Sequence, residues 1–185
     1  MDAMTLLTTR YSTARLTEPA PSAKEQELLF QAAIRAPDHA KLQPWRFVTI
    51  EGEARQSLGK LFADALVVRN PNASEAEIDK CHAQPLRAPL VIVVVVSLSE
   101  HPKVPEQEQW LSAGCAAHSL LLACQAMGYG AIWRTGPNAF DKTVFTGLKL
   151  ASNEAVAGFL YVGTPLNNGA KQPLLASKDF VSAWG

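Results

Sequence analysis

From Leu90 to Leu98 the only polar residue is Ser97. A strand that buries one face alternates apolar and polar residues, whereas an unbroken run of Val and Ile buries both faces. A fold containing this run must place it inside a sheet with a layer of structure on either side. The run is about half of the ~20 residues that a membrane span requires. Pro89 opens it, and it is expected to be the central strand.

The rest of the chain supplies the layers. Residues 2 to 9 read as a short helix that delivers Arg10-Tyr11-Ser12 at its end, followed by a Pro-rich link. Ser22 and Glu25 have the spacing of a capping box, and Leu28, Leu29, Ala32 and Ala33 give the helix they open an apolar face that Pro37 ends. Trp45 to Ile50 is β-prone and leads into a helix over 53–68, with a further helix around Glu75 to His82. Residues 106 to 127 form the longest helical pattern, with Gly128 placed to stop it; after Ser112 it is apolar almost all round, so burial on most sides is expected. A strand at Gly130 to Arg134, a helix over 139–147 and a strand at Val156 to Val162, closed by Gly163-Thr164-Pro165, complete the chain. Strands separated by helices imply a layered core. Two helices precede the first strand, and no strand leads into Gly-x-Gly-x-x-Gly or a Gly-Lys-Ser/Thr phosphate loop, which argues against a Rossmann or nucleotide-hydrolase site.

With 185 residues, no repeat and no long linker, one domain over 1–185 is expected. The formal net charge is zero, so nothing attracts nucleic acid wholesale. Met1-Asp2-Ala3-Met4 lacks the basic start and apolar core of a signal peptide. Cys81, Cys115 and Cys124 are odd in number and lie among Ala and Leu, as reduced core thiols of a cytoplasmic protein would. No Cys/His ligand set is present, and no metal is expected.

Three segments carry chemistry. Arg10 and Ser12, two residues apart at a helix end, can grip one phosphate, though a solvated arginine has the same appearance. Arg35-Ala36-Pro37-Asp38-His39 and Gln43-Pro44-Trp45 place polar side chains on one loop between rigid elements, suited to a planar ligand; Asp38 and His39 can equally just finish the turn. Trp133-Arg134-Thr135 ends a strand before a Gly-Pro break. Trp133 alone reads as core, while Arg134 needs an anionic or carbonyl partner if buried, so the segment suggests an anion site.

Arg10-Tyr11-Ser12, Ala36-Pro37-Asp38-His39 with Gln43-Pro44-Trp45, Gly114-Cys115-Ala116 running to Gly128-Tyr129-Gly130, and Gly158 to Pro165 resemble the ordered motifs of the nitroreductase superfamily across nearly the whole chain. The Arg35-to-His39 form, Arg87-Ala88-Pro89-Leu90 and Ser112-Ala113-Gly114-Cys115 resemble its compact YdjA-type branch. The resemblance implies an α+β fold, a three-layer α-β-α sandwich around a mixed sheet of four to five strands. It also implies FMN bound by Arg10, Tyr11 and Ser12, by Arg35 and His39, and by Trp133, Arg134 and Thr135, with each site built by two subunits of a homodimer. The branch assigns NAD(P) to Leu122, Ala123, Cys124, Gln125, Ala126 and Met127, whose side chains are those of a buried helix. Two departures stand out: Tyr11 replaces a common Arg, and Ala14 stands where many relatives have a basic residue facing the flavin. Arg35 is left as the candidate to stabilise charge on the reduced ring.

The expected activity is NAD(P)H-dependent reduction of nitro compounds, quinones or a related small acceptor by a ping-pong scheme, with no side-chain nucleophile and no catalytic residue singled out. A flavin-dependent dehydrogenase or oxidase of a small metabolite, or a non-enzymatic FMN-binding protein, would carry the same motifs.

Overall fold

The computed structural model describes residues 1–167 and 175–185. The expected central strand is β3 (Leu90–Ser97), buried along its length. Its neighbours are β2 (Trp45–Glu51) on one side and β5 (Glu154–Pro165) on the other, while β4 (Gly130–Arg134) pairs with the far side of β5. The two-residue β1 (Leu16–Thr17) pairs with the end of β5, Leu16 opposite Pro165 and Thr17 opposite Thr164.

Every described strand pair is antiparallel, so the mixed sheet expected from resemblance is corrected. The reason lies in the connections. One crossover helix returns a chain to the starting end of a sheet and makes a parallel neighbour. Two helices, α3 (Ala54–Arg69) and α4 (Glu75–Ala83), fold against each other between β2 and β3 and bring the chain back to where β2 ended, so that Glu51 faces Leu90.

Alternate residues of β3 anchor two separate cores. Val91, Val93 and Val95 pack with Leu58, Phe62 and Phe159 beneath α3, α4 and α6 (Lys142–Gly147). Leu90, Ile92 and Val94 pack with Leu29, Ala117 and Leu120 beneath α2 (Ala23–Ala33) and α5 (Glu106–Ala126). This is the three-layer arrangement. The Ser22–Glu25 capping box is present at α2, and Ser74–Glu77 forms another at α4.

Four local expectations are corrected. The Pro-rich link contains β1. Gly163-Thr164-Pro165 continues β5 rather than closing it, because β1 and β4 supply pairing partners there. The helix expected over 139–147 is a 3-10 turn at Pro137–Phe140 followed by α6, separated by Asp141, whose carboxylate caps the Thr143 and Val144 amides. Finally, α5 after Ser112 is buried or half-buried along most of its length but exposes Cys115 and His118, so Cys115 is not a core thiol, and Trp110 and Leu111 before it are exposed too. Among the described residues no helix is long and apolar enough to cross a membrane.

Candidate active site along the β4 edge

After α1 (Ala3–Thr9) the chain passes beside the start of β4. Two bonds fix it there: the Thr13 amide donates to the Ala131 carbonyl at 2.9 Å, and the Tyr11 amide donates to Gln125 Oε1 at 3.2 Å. The Arg10-Tyr11-Ser12 segment therefore lies at the C-terminal end of α5, on the strand that ends in Trp133-Arg134-Thr135. Strand rise puts Trp133 to Thr135 about 10 Å along from that anchor.

Trp133 is set by two glycines. Its Nε1 donates to the Ala157 carbonyl at 3.2 Å, a Cβ at Gly158 would overlap the indole, and Gly114 of α5 lies under its outer edge. The plain alternative for Trp133, a core role, thus holds in part: the indole is half-buried against the α2/α5 side of the sheet. Arg134 points to the other side. There it borders a cavity of about 470 Å³ with Arg87, Arg69, Gln84 and Tyr161, closed by Phe62 and Phe159.

The charges around this cavity are unequal. Arg69 binds the buried Asp141 carboxylate and donates to Asn138 Oδ1 at 3.1 Å. Burial alone would raise Asp141, but Arg69 and the Thr143 and Val144 amides outweigh it and hold the carboxyl below its ordinary range. Among the described residues, Arg87 and Arg134 have no acidic partner within 4 Å and no side-chain hydrogen bond. Among the described residues no carboxylate lines the cavity. Tyr161 is 4% exposed. Burial pushes its hydroxyl upward, with Arg87 and Arg134 opposing.

The Arg35-to-Trp45 loop lies elsewhere. Asp38 accepts from the Leu42 and Gln43 amides at 3.1 and 2.8 Å and so closes the turn, the simpler role foreseen for it. Ala40, Lys41 and Gln43 all have positive φ, a concentration of backbone strain typical of ligand-contacting loops. His39 Nδ1 meets Glu108 Oε2 at 2.7 Å near the start of α5, and the exposed Arg35 borders a hollow with Trp45 and Arg46. Glu108 and Gln125 are separated on α5 by about 25 Å. β2 and β4 flank β3 and β5, so their backbones stand about 14 Å apart across the sheet. Within one chain, the first and third segments come together and the second does not join them.

The Leu122-to-Met127 segment is the last turn of α5. Cys124 is fully buried, its thiol pushed up to about 12 by desolvation, and Gln125 is occupied by Tyr11 and Thr9. The remaining four are not sealed in the core: Leu122, Ala123 and Met127 are half-buried and Ala126 is exposed. Ala14 is exposed and brings no charge. The sequence reading assigned no role to Arg87, Gln84 or Tyr161, although Arg87-Ala88-Pro89-Leu90 was among the matching segments. An arginine placed directly before the buried strand was the available signal.

Comparison with known proteins identifies the family and the fold. The Nitroreductase family model matches residues 7–164. A protein of Escherichia coli (strain K12) named as an NAD(P)H nitroreductase, YdjA, is 40% identical over 165 residues, covering 89% of each chain. One of Haemophilus influenzae, also named as an NAD(P)H nitroreductase, is 38% identical over 184 residues, covering 98% of this chain and 99% of its own. Among solved structures, a nitroreductase-like family protein from Bacillus cereus superposes with a TM-score of 0.84 at 19% identity, covering 100% of this chain and 96% of its own. The FMN and NADPH-dependent nitroreductase NfnB from Sphigopyxis sp. strain HMH gives 0.78 at 17% identity, each chain fully covered. These two show the shared fold. The matched span runs from within α1 to the end of β5 and so includes all three chemistry-bearing segments. By that match and by the relatives aligned along nearly its whole length, the chain belongs to the nitroreductase family, a family of oxidoreductases.

Proposed function

We propose that this protein is an FMN-dependent oxidoreductase that uses NAD(P)H to reduce nitro compounds, quinones or a related small acceptor. The observation that carries the reading is the Thr13–Ala131 bond, which brings Arg10 and Ser12 alongside the strand ending at Trp133-Arg134-Thr135. The donor chemistry fits FMN. Arg10, half-buried and without a carboxylate partner among the described residues, and Ser12 suit its phosphate; the Thr135-Gly136 turn and the Trp133 strand end suit the edge of a flat ring. When bound, FMN would supply the electron transfer, taking a hydride from NAD(P)H and passing electrons to the acceptor in a ping-pong scheme. The chain's own work is to hold the cofactor, orient the two substrates in turn and limit water. The relatives named as NAD(P)H nitroreductases and the FMN and NADPH-dependent structural neighbour support this reading.

The protein acts as a homodimer in this proposal. Arg35 and His39 are too far from Arg10 of their own chain to share one cofactor, so a second copy must bring them to it. A stripe on α5, Leu111, Cys115, His118 and Leu122 at alternating steps of four and three residues, is available for the contact, with Leu111 61% exposed. Steps of this kind place a seam along one helix face. Phe180, Val181 and Trp184 add exposed apolar surface near the C-terminus. The 185 residues serve as one domain, and three free thiols suit the reducing cytoplasm.

The test is the visible spectrum of the purified protein with FMN, followed anaerobically by NADPH and then NADH. A bound-flavin spectrum that bleaches is expected. Binding without bleaching means flavin storage, and no binding overturns the proposal.

A further inference from the structure

The cavity beside Arg134 is built for something not accounted for by the phosphate grip or the strand end. Two guanidiniums face it unpaired, while the third, Arg69, is neutralised by Asp141. Gln84 Oε1 is taken by Asn138 Nδ2 at 3.2 Å, so the polar wall behind the arginines is already satisfied. The Tyr161 hydroxyl makes no hydrogen bond to any described residue, yet it is not sealed away without a partner, which leaves it facing the cavity. A phenol this buried ordinarily finds a partner for its O–H. Phe62, Leu66 and Phe159 line the same cavity and give it apolar surface. Three polar groups that donate, no acidic residue and an apolar wall describe the complement of an aromatic oxyanion.

We propose that this cavity is the acceptor subsite for anionic aromatic substrates, with a carboxylate or comparable oxyanion held by Arg87 and Arg134 and by the Tyr161 hydroxyl. Arg87 sets the preference for charge. It is exposed at the rim, so it meets the anion on entry, while Arg134 and Tyr161 receive it deeper in. Thr135 and Gly136 line the cavity and belong to the strand end that the proposed function gives to the flavin ring, so the proposal puts a bound acid beside that ring. The inference rests on the proposed flavin chemistry for its consequence, though not for the binding itself.

The experiment uses two acceptors of similar size, 4-nitrobenzoate and 4-nitrobenzyl alcohol, with the FMN-loaded protein and its Arg87→Gln variant. The substitution should lower kcat/KM for the anion about tenfold or more, through KM, because a charge-assisted contact is lost. The neutral acceptor should change less than about twofold. An equal fall for both overturns the assignment. Calorimetric titration of benzoate into the flavin-free protein reads the site without turnover. Binding that Arg87→Gln abolishes supports the site even where FMN fails to bind, in which case only the flavin reading is lost. No benzoate binding, or benzoate displaced by added FMN, overturns it, the latter by showing that the cavity belongs to the cofactor.

Discussion

Arg46 and Arg69 are held by carboxylates; Arg87 and Arg134 are not. Arg46 forms a two-point pair with Glu154, at 2.5 and 2.7 Å, and ties β2 to β5 across the end of β3. Arg69 ties α3 to the start of α6 through Asp141. These guanidiniums are structural, because each satisfies a carboxylate that would otherwise be costly to bury. Arg87 and Arg134 stand around the same cavity as Arg69 and stabilise nothing visible in the chain. Positive charge without an internal partner borders a cavity here, beside the strand that brings the first and third candidate segments together.

The sharpest way to break this contrast is to delete one arginine of each kind. Arg69→Ala strands Asp141 and should cost about 3 kcal/mol, read as a lower urea midpoint at unchanged slope. Arg87→Ala should stay within about 0.5 kcal/mol of the parent. Comparable losses would dissolve the distinction. Next in size is Gly158→Ala, where the added methyl overlaps Trp133 and should cost about 2 kcal/mol, with a shift in tryptophan emission; an unshifted spectrum would deny that Gly158 sets the indole.

Arg10→Ala should leave folding intact and weaken FMN retention about tenfold, equivalent to about 1.4 kcal/mol, measured by flavin fluorescence on dilution. Unaltered affinity would count against the phosphate contact. The smallest effect is on the acid limb. Hydrogen bonds from Arg46 lower the Glu154 carboxyl to about 2 against desolvation, with the Ala151 amide and Ser97 hydroxyl assisting. A depressed carboxyl contributes stability that is complete above its ordinary value of 4.5 and lost as pH falls toward 2. The Arg46 side chain is 39% exposed, so about 1 kcal/mol is expected after solvent screening. Urea midpoints between pH 6 and 2.5 should fall less steeply in Arg46→Ala; identical slopes would remove Glu154 from the account.

Local signals were legible where the cause is local. The capping box at Ser22, the stop at Gly128 and the two-sided burial of β3 follow from residue spacing alone, and each is present. Leu16–Thr17 was not legible, because two residues become a strand only when β5 supplies the partner. Cys115 is exposed, not in the core, for a related reason: an apolar helix does not state which of its sides another element will cover. Arg87 was visible as a residue but not as a cavity wall, since α3, β4 and β5 meet it from distant parts of the chain.

By itself the sequence determined the central strand, the order of the longer helices and strands and the family motifs, because each is written in neighbouring residues. Only the tertiary structure decided which motifs meet within one chain, which arginines are neutralised and where the empty charge lies. Those properties are distances between residues far apart in sequence, and the layers packed around β3 set them.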